Sequence, residues 1–282
     1  ACRLRGIPLV LTPHDTFNDK QFNGFKGSMK KIALNALLSL IPVINTVSYD
    51  ARDNLLAYMP MLRLLRKRVV VIPNGIEVER FISAEARDFR AELGLPADTF
   101  LVGFLGRFMS PKGFVFLVDA LQELYIDRNL SRKPHVLTFN SDSGFFREEL
   151  AEIMRKGLDS VIHFLPFTTK VAEVLNGLDV VVMPSLSETC PILPMEALVV
   201  GVPIIGTNCI GLREVLTGTP GIMVNAGDSH ALAEALRKEM KEQTKEQFKS
   251  FRDEAMKRFD VHIQADKLSE LFIGMTSERR RE

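Results

Sequence analysis

Charge of one sign is the first thing this 282-residue sequence lacks: 36 basic against 35 acidic residues leave a formal net charge of +1. That balance argues against nucleic-acid binding, which calls for a basic face. Cysteine is scarce as well. Cys2, Cys190 and Cys209 show no CxxC spacing and no paired histidines. This argues against structural zinc and against a disulfide framework, and fits a reducing compartment. No apolar run approaches the roughly 18 residues that would span a bilayer. The chain opens on Ala1 rather than methionine, with no charged-then-apolar leader behind it, so we expect a cytoplasmic protein whose sequence starts inside a domain. Neither internal repeats nor low-complexity tracts occur. A P-loop is missing, and so is any DxD motif, so no catalytic Mg²⁺ or Mn²⁺ and no cofactor is expected. Two local exceptions to the charge balance are RLLRKR (63–68) and ERRRE at the carboxyl end. Either would suit an anionic membrane surface, peripheral at the inner face; the simpler readings are a solvated helix end and a frayed terminus.

Hydrophobic residues make up 46% of the chain, enough for packed globular domains. Short apolar runs alternate with helical patterns. The runs are 7–11, 43–48, 68–73, 100–106, 135–139, 161–165, 178–184, 202–206 and 221–224. They are continuous rather than alternating, as in strands buried on both faces of a parallel sheet. Helical patterns fall at 112–127, 145–157, 169–177 and 229–241. Strand–helix–strand order predicts an α/β doubly wound architecture. The turn signal PNG at 73–75, followed by polar sequence, places a domain boundary near residue 80. Upstream, 1–80 holds three strand candidates, about half a Rossmann-like domain; 81–259 holds six, a full one. The last stretch reads as two helices parted near Phe259–Asp260, and 260–282 is expected to cross back to the first domain.

Ligands of open parallel sheets bind at the carboxyl ends of strands. Two junctions there carry chemistry. In FLVGFLGRFMSPKGFVFLVDAL, a strand ends at Gly106, Arg107 follows, and Ser110, Pro111, Lys112 and Gly113 open a helix. Serine suits the N-cap and proline the first helical position, which puts Lys112 in the first turn. A cation is disfavoured there by the helix dipole unless an anion joins it, so Arg107 and Lys112 with free backbone N–H groups read as a phosphate site. The plain alternative is a surface pair of cations matched to nearby carboxylates. In the second junction, GLDVVVMPS is a strand, LSETCPIL a loop and PMEALVV a helix closed by Gly201. Glu188 lies in the loop and Glu196 in the first helical turn. Spaced this way, both would point into one cleft at the strand's carboxyl edge. Carboxylates accept hydrogen bonds from sugar hydroxyls; taken singly, Glu196 would merely suit a helix N-terminus and Glu188 would be solvated.

The stretch PSLSETCPILPMEALVVGVPIIGTNCIGLREVL resembles the E-x7-E region of the retaining GT-B glycosyltransferases of family four. VVVIPNGIEVERF and VGFLGRFMSPKGFVFLVDAL resemble its other two hallmark blocks, in the same order. The resemblance implies a GT-B fold of two Rossmann-like domains, the N-terminal one incomplete. It implies that Arg107 and Lys112 hold a donor's diphosphate, that Glu196 binds the ribose, and that Glu188 contacts the donor sugar. TPHD resembles the family's histidine segment, which would lay His14 against the transferred sugar; from its own residues His14 reads as a strand-end capping histidine. Where the family has EGFGLP, this chain has Glu188, Thr189, Cys190, Pro191, Ile192 and Leu193. Thr189 narrows the backbone that glycine leaves free, and Pro191 has no N–H to give a donor. The family's glycine-rich loop near the start of its first domain has no counterpart here.

What the resemblance implies is a metal-independent hexosyl transfer with retention. The partners would be a nucleotide-sugar donor and a glycan or lipid-linked acceptor, as in polysaccharide biosynthesis. Cations and helix ends would stabilise the leaving diphosphate, and front-face attack would be assisted by the leaving phosphate. Two further readings are a non-catalytic sugar-nucleotide-binding or partner-binding protein and a nucleotide-sugar epimerase. The basic, partly amphipathic stretch 26–40 is read as a helix covering the sheet, with contact to a lipid-linked acceptor as the alternative.

Overall fold

In the computed structural model, which describes residues 7–130, 132–140 and 146–279, the apolar runs become strands of two separate sheets. The first sheet joins β1 (Val10–Leu11), β2 (Val43–Thr46) and β3 (Arg68–Val71) in that order, all parallel. Its helices are α1 (Gly24–Ser39), α2 (Tyr49–Tyr58) and α3 (Pro60–Leu64). Two short helices follow, α4 (Glu79–Ile82) and α5 (Phe89–Glu92).

The second sheet takes in β4 (Phe100–Phe104), β5 (Pro134–Asn140), β6 (Ile162–Pro166), β7 (Val180–Met183), β8 (Ile204–Thr207) and β9 (Ile222–Val224). Its order is β6-β5-β4-β7-β8-β9, all parallel. The helices between are α6 (Phe114–Ile126), α7 (Phe146–Arg155), α8 (Val171–Asn176), α9 (Leu193–Val200), α10 (Leu212–Leu216) and α11 (Ser229–Glu242). Chain direction reverses its march across the sheet between β4 and β7. Such a switch point leaves a crevice at the carboxyl ends of the two strands, because the loops there run away to opposite faces.

The continuous apolar runs have a simple cause: every strand residue meets a helix on one side or the other. Val102, Val180 and Ile205 pack with Leu117, Leu121 and Leu236 of α6 and α11; their neighbours Leu101, Val181 and Ile204 pack with Leu198 of α9 and Phe248 on the opposite face. The first sheet is covered likewise. Ile44 packs with Leu38, Leu55 and Leu62 beneath α1, α2 and α3. Val43, one residue earlier, faces the other way onto Leu271 and Met275.

Those last two residues belong to α13 (Val261–Arg279), which follows α12 (Lys245–Phe259) after a break at Asp260. Helix α13 thus returns from the second sheet to cover the first. The crossing is pinned where Ile76 N–H donates to the Phe259 carbonyl at 2.8 Å and Val261 N–H to the Ile76 carbonyl at 2.9 Å. Among the described residues, no helix is long and apolar enough to cross a membrane. Cys190 and Cys209 are buried and free, whereas Cys2 and the side chains of ERRRE lie outside the described residues.

Candidate functional site

The carboxyl edge of β4 does not run straight into a helix. Ser110–Lys112 form a single 3₁₀ turn, Gly113 turns left-handed at φ +68°, and α6 starts only at Phe114. The expectation of Ser110 as N-cap and Lys112 in the first α-helical turn is therefore corrected. The physical reason is the Pro184 carbonyl oxygen, which presses so closely on Gly113 that a Cβ there would overlap it. The chain needs a glycine to pass, and glycine's left-handed backbone breaks the helix. Helix α6 is left with no side chain capping its N-terminal N–H groups.

From this turn Lys112 reaches across the switch point to Glu188 in the β7–α9 loop. Its Nζ donates to both carboxylate oxygens, at 2.7 and 2.9 Å. Ser185 Oγ donates to the same carboxylate at 2.8 Å. The Glu188 side chain keeps only 9% of its surface exposed. Of the two readings given to Lys112 from sequence, pairing with a carboxylate is the one seen, and the partner is the first glutamate of the E-x7-E motif. Arg107 stands exposed on the β4–α6 loop, and its side chain makes no hydrogen bond or ion pair among the described residues.

The β1 loop closes over the same edge. His14 is exposed, and its backbone carbonyl accepts from Thr189 Oγ1 at 2.9 Å. Thr16 and Ser187 share a hydroxyl–hydroxyl bond of 2.9 Å. Ser48 Oγ donates to the Thr189 carbonyl at 2.7 Å, and Asn74 Nδ2 to the Cys190 carbonyl at 2.8 Å. The loop carrying Glu188 is therefore stitched on both sides to the first-sheet half. Burial pushes the Cys190 thiol up to about 11, which keeps it protonated and unreactive.

Glu196 goes elsewhere. It sits in the first turn of α9, where α4 and α8 pack. It lines a cavity of about 540 Å³ with Arg80, Lys170 and Ile192, and neither Arg107, Lys112 nor Glu188 lines that cavity. The expected single cleft for both glutamates is not this cavity, which takes in Glu196 and leaves out Glu188. The reason is geometric: Glu188 hangs from a loop that leans toward β4, whereas the first turn of α9 rotates Glu196 toward α8. No side-chain hydrogen bond reaches Glu196 among the described residues. Burial pushes its carboxyl up to about 7, against the pull of Arg80. Pro191 and Ile192 complete the loop, and no side chain caps α9 either.

Sequence reasoning missed Thr16, Ser48, Asn74, Ser185 and Ser187. The run of small hydroxyls in PSLSET, directly after a buried strand, was the available signal for two of them; Asn74 reads as a turn residue and nothing more. Among the described residues, one group has ligand atoms close enough for a cation: Glu123, His230 and Glu234. It sits toward the far end of α6, and there His230 already bonds Glu123 at 3.0 Å while Glu234 pairs with Arg237.

Known proteins share this fold. Two solved structures overlay almost the whole chain: Anabaena HepE in complex with UDP and glucose (TM-score 0.79, 20% identity, 97% of this chain and 73% of that one) and sucrose-phosphate synthase from Thermosynechococcus elongatus (TM-score 0.80, 21% identity, 98% and 70%). At such identities they establish the GT-B fold. D-inositol 3-phosphate glycosyltransferase of Corynebacterium urealyticum is 32% identical over 183 residues, 61% of this chain and 42% of that protein. Alpha-maltose-1-phosphate synthase of Mycolicibacterium smegmatis is 30% identical over 254 residues, 84% and 64%. The chain thus spans less than half the length of the first of these curated relatives. Residues 1–80 match the family described as Glycosyltransferase Family 4. On the match of residues 99–242, the chain belongs to the family Glycosyl transferases group 1.

Proposed function

We propose that this chain carries the donor-binding half, and part of the acceptor side, of a retaining glycosyltransferase. It would move a hexosyl unit from a nucleoside-diphosphate sugar to a glycan, lipid-linked or small-molecule acceptor without a metal ion. The observation that carries this reading is the Lys112–Glu188 pair across the β4/β7 switch point, beside the exposed Arg107. The two charges satisfy one another. An arriving diphosphate competes for Lys112 and is met by Arg107 and the uncapped N-termini of α6 and α9, a setting that favours anions. Glu188, released, accepts hydrogen bonds from the donor sugar. The 540 Å³ cavity beside Glu196 is within the size range of small-ligand pockets and would take the nucleoside, with Glu196 on the ribose. His14 would lie over the sugar, held there through the backbone bond to Thr189.

In the transfer step the bond from the anomeric carbon to the diphosphate breaks, and its electron pair leaves with the diphosphate. The acceptor hydroxyl oxygen bonds that carbon from the same face, and its proton passes to the leaving phosphate oxygen. One preorganised donor aimed at the developing charge is worth about 3–4 kcal/mol, so Arg107 and Lys112 carry the largest share of the chemistry.

The relative solved with UDP and glucose makes a UDP-sugar the first donor to test. Thermal shift against UDP-, GDP- and ADP-sugars is expected to show one donor raising the melting temperature, with Glu196→Ala abolishing most of the rise. If none does, the donor assignment fails. Binding without transfer to any acceptor leaves a sugar-nucleotide-binding protein, and release of free nucleotide with a monosaccharide leaves an epimerase.

A further inference from the structure

Two histidines that the transfer reading does not use face one another in the second sheet. His135 is the second residue of β5 and His163 the second residue of β6, where it stands opposite Leu137, one pleat along from His135. The rings lie nearly parallel, 12° apart, with centroids separated by 5.2 Å. His135 Nδ1 is 2.9 Å from His163 Nε2. At that distance one nitrogen carries a proton and the other offers a lone pair. Neither ring has another hydrogen-bond or ion-pair partner among the described residues. Both are half-buried. Burial pushes each ring below the usual histidine value, and for His163 the neighbouring His135 adds to it. Strand β6 is the edge of its sheet, and β5 is its one neighbour.

The charged groups around the pair are engaged elsewhere. Leu137 and Phe139 share a face of β5 with His135, and there they pack with Phe89 of α5 and Val174 of α8. On α5, Arg90 pairs with Asp179 and Glu92 with Arg87, while Asp88 accepts the Ala91 N–H. At the start of α8, Glu173 pairs with Lys170. Asp98 and Asp159, on the turns leading into β4 and β6, are exposed. No carboxylate among the described residues bonds either ring, so a second positive charge on the pair has no counter-ion. We propose that His135 and His163 form an acid-sensitive clasp, which holds the edge strand β6 on β5 while at most one ring is protonated and releases it when both are. The bond survives with both rings neutral or with one protonated, because one nitrogen still offers a lone pair. A second proton takes that lone pair and sets two like charges side by side in a half-buried place, which disfavours the charged forms. Strand β6 runs straight into 167–170, and Thr169 and Lys170 line the cavity beside Glu196. Release of β6 therefore loosens one wall of that cavity, whatever ligand it takes.

The parted rings bind protons more readily than the clasped ones. The clasp is thus complete above the usual histidine value of 6.5 and is lost as pH falls below it. Proton NMR of the histidine ring C–H signals of the whole chain, from pH 8 to pH 5, tests this. In wild type the two rings are expected to titrate as a coupled pair below 6.5. In His135→Gln the His163 midpoint is expected to move up toward 6.5, because the neighbouring charge is gone. Hydrogen exchange gives the second readout, corrected for its intrinsic pH dependence. Between pH 6.5 and 5.5 the amides of Ile162–Leu165 are expected to lose up to about tenfold in protection, the limit for one proton taken up on opening. Those of Val180–Met183 keep theirs, and His135→Gln/His163→Gln shows no such loss. Wild-type rings that titrate independently near 6.5 overturn the proposal, as does β6 protection that stays constant in wild type or falls equally in the double variant. No donor enters these measurements, so their outcome is separate from that of the transfer reading.

Discussion

Glu196 is half-buried and has no hydrogen-bond partner among the described residues, so its proton does the work that a partner would. Its carboxyl is raised from 4.5 to about 7. A group raised in the fold binds protons that the unfolded chain has already lost, so its stabilisation is complete below the unfolded value and fades as pH rises through the folded one. A shift of that size is worth about 3 kcal/mol. Glu196→Gln keeps the shape and removes the titration. Compared by thermal melting, wild type and variant should be nearly equal at pH 5, and the variant should be the more stable at pH 8. Parallel curves across that range would mean the carboxyl is solvated. Lys112 and Glu188 predict the opposite kind of loss. Lys112→Met leaves a mostly buried carboxylate with Ser185 as its remaining donor, and should cost about 1–3 kcal/mol, the penalty for unpairing such a group. Glu188→Gln added to it should recover part of that. The coupling in a double-mutant cycle by urea unfolding is expected at about 1–2 kcal/mol, and a value near zero would mean that the pair does not hold the loop.

At the scale of elements, the junctions matter more than the elements. Gly113 needs a left-handed backbone, which costs any other residue about 1–2 kcal/mol, and its missing Cβ makes room for the Pro184 carbonyl. Gly113→Ala should therefore destabilise by more than the strain alone and push the 184–188 segment away from Lys112. A lower urea midpoint together with a lost Lys112–Glu188 coupling would show both effects; a lowered midpoint with the coupling intact would confine the damage to α6. This junction also marks what the sequence made legible. The nine apolar runs all became strands, because burial on both faces leaves a local signature. Ser-Pro-Lys-Gly reads locally as a helix start, yet the atom that forbids one belongs to Pro184, far along the chain. The same holds for Glu196: its spacing from Glu188 is plain in the sequence, but the direction of a first-turn side chain depends on where α8 lies. In 26–40 the period was readable; which face would meet the sheet was not, since both faces are apolar.

For the whole molecule, the question is how two sheets behave as one body. Part of the answer is ionic. Arg213 donates to Asp50 at 2.6 and 2.8 Å, and Glu214 accepts the Tyr49 and Asp50 N–H groups at the start of α2. Burial pushes the Asp50 carboxyl up, but the bonds from Arg213 and the Gly211 N–H outweigh it and hold the group below its usual value. Arg213 is half exposed, so water and salt weaken this clasp. The apolar contact of α13 is the stronger tie. Leu271 and Met275 fill the face of the first sheet that Val43 and Val70 present, and a small sheet draws its stability from packing such an apolar face against a helix. Leu271→Ala should cost about 2–5 kcal/mol. If 1–80 and 260–282 form one folding unit, that loss is local. Backbone amides of Val43–Thr46 should then exchange faster while those of Val180–Met183 keep their protection. Equal acceleration in both sheets would mean that the chain unfolds as a single unit, with the boundary near residue 80 marking a bend rather than a division.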